Sequence, residues 1–504
     1  MNKLVKAVFT LTSFSMLDRA LGFVFKIYLS REMGASALGV YQVALSFFFV
    51  LMTLVTSGLP LIAGKMTAEY EARGLKRTNA LTTAGLLLNG VISITLIGLV
   101  FALRVPLTSV IGNEESANLL YVLLPGLLFC AIAAALRGSF WGKERYAAIS
   151  IIELLEQVAR IGLCVLFFAL GFVKTFAATL SLTIAVGFSM VLTAVLYAVK
   201  GGRLASPAKE LKPLFSSSAP ISVLRASTSL VNSLLAVVIP FLFTTSGMTN
   251  EEALAMYGAT VGMAMPLVFL PITVIGSLSQ AMIPTLAKAS AVGNHKEVKR
   301  QAERAIDFSV VVASLFIPMF AGIGAECGEL LYGNADAGRF LQMGGLLLIP
   351  VALESITSSM MNSLGMEKQG FVNYVIGSAV MFGVAFCFYG HFSAEAFCLS
   401  QAVSLILSTS LDVICIKKRT GISLSFLKTT GVCLLLAVPC IFLTNWIFNL
   451  LFALPQLLAL ILSALVGVGG MAMLGVAFGF IDVGRFNSRK KSSANLQKRL
   501  HISS

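Results

Sequence analysis

Apolar runs long enough to cross a bilayer, about 20 residues each, recur from one end of the chain to the other. Examples lie at about 79–103, 117–137 and 455–482. Short loops carrying most of the charge separate them. This pattern leaves little freedom: continuous apolar runs read as membrane helices, whereas a membrane barrel would alternate apolar and polar residues. Composition agrees. Hydrophobic residues make up 57% of the 504 and charged residues 12%, about half the charge of a soluble domain. A soluble enzyme, a disordered chain and a secreted disulfide scaffold are excluded.

Fourteen spans are expected, at about 5–30, 36–63, 79–103, 117–137, 147–172, 176–199, 218–243, 253–280, 305–326, 340–363, 371–390, 395–416, 426–448 and 455–482. The first run carries Asp18 and Arg19 and shows no cleavage site, so it reads as a permanent span. The net charge of +14 tests the count. With the amino terminus cytoplasmic, Lys and Arg gather in the inside loops and the tail, and only Arg31, Arg104, Lys174 and Arg339 fall in outside loops. The positive-inside rule accounts for that asymmetry with both termini cytoplasmic and without a nucleic-acid partner.

The segment Lys200–Ser216, rich in Gly, Pro and Lys, reads as a linker between halves. Pro60 and Pro284, Lys65 and Lys288, and Gly142 and Gly365 are each separated by 223 or 224 positions. The expected fold is therefore all-α and polytopic, with two six-helix lobes related by a pseudo-twofold axis along the membrane normal. Residues 1–200 form the first lobe, 201–217 the cytoplasmic linker and 218–416 the second lobe. Two additional spans occupy 417–482, and 483–504 form a basic cytoplasmic tail.

Charges at bilayer depth are costly and usually face a cavity or a partner. Arg19 and Lys26 are two helical turns apart on one face, thinned by Gly22 between them. Two cations so placed suit an anionic ligand such as a phosphate; the alternative is that Lys26 snorkels and Arg19 pairs with a neighbouring helix. Arg225 follows Lys212 by the same 13 residues that separate Arg19 from Lys6. The symmetry would bring Arg19 and Arg225 to one central cavity, unless Arg225 forms an internal ion pair. Glu153, Glu156 and Arg160 share another helix face, where Glu156 precedes Arg160 by four residues, the favourable order for a pair. They are candidates for an ion-pair seam or for cation coupling, as are Asp18 and Glu354. The eight cysteines read as small buried residues, and the three histidines are too dispersed for a metal site. No phosphate-binding Gly-Lys loop or metalloprotease motif occurs, so neither an enzyme nor a cofactor is expected.

Three stretches carry a resemblance. Leu17–Phe47 is similar to the first two spans of the stage V sporulation protein B group. Arg137–Gly162 resembles that group's span four to five junction, and Ala264–Ala289 its eighth span. The group belongs with lipid II and polysaccharide flippases in the multidrug/oligosaccharidyl-lipid/polysaccharide exporter superfamily. The resemblance implies two lobes around a cavity that opens alternately to either side. It implies an undecaprenyl-pyrophosphate-linked sugar or lipid II-like cargo in the bacterial cytoplasmic membrane, with a link to sporulation. Arg19 matches a cavity arginine of the lipid II flippases, whose second arginine falls near Phe25 and Lys26. Their cavity arginine in span eight has no counterpart among Tyr257–Val261, and their acid after span one none around Gly39 and Val40. These departures favour the sporulation or polysaccharide branch. A drug or cation antiporter and a non-transporting scaffold of a wall-synthesis complex are the competing readings, and the coupling ion stays open.

Overall fold

The computed structural model describes residues 3–75, 77–273, 275–276, 286 and 294–478. The tail 483–504, Pro284 and Lys288 lie outside these residues, as does the end of the expected eighth span. Within them the chain is helical and contains no strand. Its described residues divide into two compact units, Met1–Met263 with Tyr389–Phe392, and Ala264–Phe388 with Ser393–Ser504.

The first unit begins with α1 (Lys3–Thr56) and α2 (Gly58–Ala72). With 54 residues, an unbroken α1 would be about 81 Å long, far beyond the roughly 30 Å of a hydrocarbon core. Gly34, at φ 76° and ψ 171°, breaks α1 into two crossings. That conformation favours glycine, and the break falls where the sequence places an outside loop. A second interruption at Ser57 divides the expected span 36–63. There the Gly58 N–H donates to Ser222 Oγ at 3.2 Å.

Helices α3 (Thr78–Ala102), α5 (Glu114–Gly142), α6 (Tyr146–Ala169) and α7 (Lys174–Val199) follow, with a short α4 (Arg104–Ile111) between α3 and α5. Their ends lie close to those expected. The linker is shorter than expected: residues 201–207 are irregular, and α8 (Ala208–Thr245) starts before Ser216. It packs along α1, α2 and α3. The Glu210 carboxylate, 2% exposed, accepts a hydrogen bond from Tyr70 Oη at 2.5 Å and lies 3.9 Å from Arg77. Nearer mid-helix, Ser229 and Thr53 hydroxyls bond at 3.0 Å, and Ser233 donates to the Ser46 carbonyl at 2.6 Å. Small polar side chains satisfy one another between membrane helices where lipid cannot.

The expected eighth span starts as α9 (Asn250–Tyr257), passes into a π-helix at Gly258–Ala264, and continues as the one-turn α10 (Met265–Val268). Pro266 explains the widening: it lacks an N–H and its ring displaces the carbonyl four residues back. Gly258 lies in this wide turn against the Ala35 carbonyl of α1.

The second unit is organised on α11 (His295–Tyr332), which carries Pro318 and is kinked at Ile323. It packs against α12 (Ala335–Gly344), α13 (Leu348–Ser363), α16 (Ser425–Leu450) and α17 (Gln456–Ala477). The remaining pair, α14 (Glu367–Cys387) and α15 (Ala394–Thr420), packs together and onto α13.

Eleven segments among the described residues are long and apolar enough to cross a membrane. Dividing the first at Gly34 adds one crossing. Helix α6, whose three charges dilute its apolar character, adds another, and the broken segment from Asn250 a third. The architecture is thus all-α with about fourteen crossings, as expected. All eight cysteines are free thiols; Cys387 is exposed, against the expectation of burial.

Candidate functional site

Arg19 and Lys26 project from the first half of α1, and Arg225 from α8. All three are exposed, and among the described residues none has an ion-pair partner or a side-chain hydrogen bond. No hydrogen bond or ion pair joins Arg19 to Arg225. The glycine between the two α1 cations has a defined neighbour: a Cβ at Gly22 would lie 3.5 Å from Gln157 Nε2. That face of α1 therefore meets α6, the helix that carries the acidic seam.

The seam itself differs from the expected one. Glu153 and Glu156 do share a face of α6, but both turn to Arg137 of α5, with Nη1 3.3 Å from Glu153 Oε1 and Nη2 3.6 Å from Glu156 Oε2. Glu156 is not paired with Arg160. The helical spacing that favours such a pair is worth only about 0.2–0.5 kcal/mol, and a neighbouring helix offering both ends of a guanidinium outcompetes it. Arg160 instead donates from Nη2 to Tyr41 Oη at 2.9 Å, and its guanidinium carbon lies 5.1 Å from the centre of the Phe25 ring. Asp18 and Lys26 are within electrostatic range of Arg160 without touching it.

Arg137 is the residue that sequence reading missed. It sits in RGSFWGKER, which looks like a basic loop, yet α5 continues through Gly142. The signal was available: the small residues Gly138 and Gly142 recur at helical spacing and let α5 press against α2 at Pro60 and Gly64. A cavity of about 330 Å³ opens beside the seam. Apolar side chains from α1 and α7, including Phe48, Met52 and Val186, form its walls, and Thr56, Arg137, Glu156, Arg160 and Ser189 are among its polar residues.

Glu354 belongs to the second unit. Its charged neighbour there is Asp412 of α15, 4% exposed, which accepts from Asn373 Nδ2 at 2.8 Å and from Thr357 Oγ1 at 3.3 Å. Asp412 was also missed, since it precedes the basic run Lys417–Arg419 and reads as part of the helix end. Among the described residues no three His, Cys, Asp or Glu side chains gather into a metal-holding group.

The described helices thus hold a polar interior, with acids and bases held between membrane helices and three further cations left free. The family model for polysaccharide biosynthesis protein matches residues 4–290, more than half of the chain. The chain belongs to that family. It is 23% identical to the stage V sporulation protein B of Bacillus subtilis strain 168, with 88% of each chain covered. It is likewise 23% identical to the lipid II flippase MurJ of that organism, over 95% of this chain and 96% of the relative. Its fold is that of a solved structure of the lipid II flippase MurJ in an inward closed conformation. The TM-score is 0.72 at 13% identity, covering 93% of this chain and 98% of the other. These relatives are named as a flippase and a sporulation protein rather than as enzymes. The family member described here is a multi-span membrane protein.

Proposed function

We propose that this protein is a flippase of the bacterial cytoplasmic membrane. It moves an undecaprenyl-pyrophosphate-linked cell-wall precursor or oligosaccharide from the cytoplasmic to the outer leaflet, in the manner of alternating access between two lobes, with a place in spore-cortex synthesis. The reading is supported by the family and by relatives named for lipid II flipping and sporulation. The observation that carries it is the set of unpaired cations Arg19, Lys26 and Arg225 on helices that cross the membrane. A guanidinium offers pyrophosphate a planar fork, and an ammonium offers a point charge. In this reading the polyprenyl tail stays in lipid, and both termini are cytoplasmic.

A cation antiporter would need acids free to bind a cationic guest. Glu153 and Glu156 already share Arg137 as their counter-charge, which weakens that alternative.

The test is flipping of a fluorescent pyrophosphate-linked sugar lipid in reconstituted vesicles, against a cationic dye. Arg19→Ala and Arg225→Ala should each cut lipid flipping at least tenfold while the protein still inserts, with Arg→Lys retaining part of it. Arg104→Ala, at the first residue of α4, should leave flipping intact. Wild-type rates from an Arg19→Glu, Arg225→Glu double variant would overturn the proposal.

A further inference from the structure

Beyond the exposed cations assigned to the lipid headgroup, the first unit holds a cation that no carboxylate of a described residue pairs with directly. Arg160 stands about 21 Å along α6 from its first residue, near the middle of a bilayer-crossing helix. Its direct partners are a neutral phenol and an aromatic ring. No carboxylate of a described residue lies within ion-pair distance of it, because Glu153 and Glu156 are both taken by Arg137. Asp18 and Lys26 act on Arg160 from farther away and with opposite sign. Tyr41 and Phe25 orient the guanidinium but leave a full positive charge at a depth where it is costly.

The hydrogen-bond inventory points the same way. The Nε atoms of Arg160 and Arg137 and the hydroxyl of Ser189 are buried and have no partner. Ser189 is 0% exposed. All three residues line the 330 Å³ cavity between α1, α5, α6 and α7. A guanidinium nitrogen can only donate, so the cavity holds donors in excess. Of its lining charges, Arg137 and Glu156 are paired, with Glu153 also on Arg137, and Arg160 has no carboxylate at ion-pair distance. Unpartnered donors beside a guanidinium with no direct counter-charge select against a cation and for an acceptor with a negative charge. A water occupies roughly 30 Å³, so the cavity has room for a halide with several waters, or for a phosphate group.

We propose that this cavity is a binding site for a small monovalent anion, held by Arg160 with Arg137 and Ser189. The site is separate from Arg19, Lys26 and Arg225 and does not rest on the lipid-flipping role. Two sources supply such an anion: free halide, and the phosphate of an anionic lipid.

The chain provides its own reporter. It has two tryptophans; Trp141 lines the cavity, and Trp446 on α16 is 61% exposed. In a Trp446→Phe background, fluorescence comes from Trp141 alone. The protein in nanodiscs of neutral lipid is titrated with iodide at constant ionic strength, balanced with gluconate. Saturable quenching is expected. Arg160→Gln should weaken the saturable component at least tenfold, Arg160→Lys should retain part of it, and Ser189→Ala should weaken it severalfold. Circular dichroism establishes that each variant is folded, and Ser189→Ala serves should Arg160→Gln not fold. In a second arm, nanodiscs carry phosphatidic acid: protection of Trp141 from iodide assigns the site to a lipid phosphate, and unchanged quenching assigns it to free anion. Linear, unsaturable quenching in the parent protein, or saturable quenching equal in folded Arg160→Gln and Ser189→Ala, overturns the proposal.

Discussion

Replacing Arg137 by Met tests whether the seam on α6 is one electrostatic unit. Its guanidinium lies 3.3 Å from one carboxylate and 3.6 Å from the other, with side-chain exposures of 24% for Arg137, 43% for Glu153 and 25% for Glu156. Fully exposed pairs contribute about 0–1 kcal/mol. Stranding one partner of a fully buried pair costs about 3–5 kcal/mol. The Glu156 contact falls between these limits, and the Glu153 contact belongs near the exposed end. Arg137→Met also leaves two carboxylates one helical turn apart, which repel each other by a few tenths of a kcal/mol. The expected total is about 2–3 kcal/mol, a loss of roughly 30- to 160-fold in the folding equilibrium. Glu156→Gln alone should cost about 1 kcal/mol and Glu153→Gln less. The triple variant Arg137→Met, Glu153→Gln, Glu156→Gln should recover most of the loss, because neutral side chains of similar size need no counter-charge. Reversible unfolding in mixed detergent micelles, read by circular dichroism, gives these differences. A triple variant no more stable than Arg137→Met would refute the coupling, as would Arg137→Met matching the parent.

Gly258 should tolerate no side chain: a Cβ there would run into the Ala35 carbonyl and lie 2.7 Å from the Gly39 nitrogen. Backbone cannot rotate aside, so Gly258→Ala should cost several kcal/mol at this packed site, measured as loss of folded protein in the membrane, whereas Gly90→Ala, with open space around its Cβ, should be neutral or slightly stabilising. A second expectation concerns pH at the start of α9, where Glu252 Oε2 accepts from the Thr249 N–H at 2.8 Å and from its hydroxyl at 2.9 Å, holding the carboxyl below its usual range. A lowered folded value means that the cap is fully favourable above the unfolded value, near 4.3, and is lost as pH falls through the folded value; amide exchange at the start of α9 should rise across that acidic window in the parent and not in Glu252→Gln.

Helix positions were legible because apolar runs and loop charge report on the bilayer, a solvent imposing the same demand on every span. That is why α3, α6 and α7 end close to where the sequence places them. What the bilayer does not dictate was harder to read. The wide turn at Gly258–Ala264 arises from a single proline acting on a carbonyl four residues back, and apolar pattern is blind to it. Side-chain partners were less legible still. Spacing along one helix put Glu156 with Arg160, and that is the only pairing a single sequence displays. The actual partner, Arg137, approaches from α5 because glycines at 138 and 142 draw α5 against α2 and so fix where its end lies. The free cations were easier to pick out: a basic residue in an apolar run is conspicuous whether or not it has a partner. Arg19, Lys26, Arg160 and Arg225 could therefore be named from sequence, but their division into exposed and enclosed could not. Once Arg137 removes both glutamates from reach, Arg160 becomes the enclosed cation with only neutral direct partners. One misplaced loop charge thus changes the assignment of the whole interior, from a self-paired seam on α6 to a seam held by α5 beside a guanidinium with only neutral direct partners.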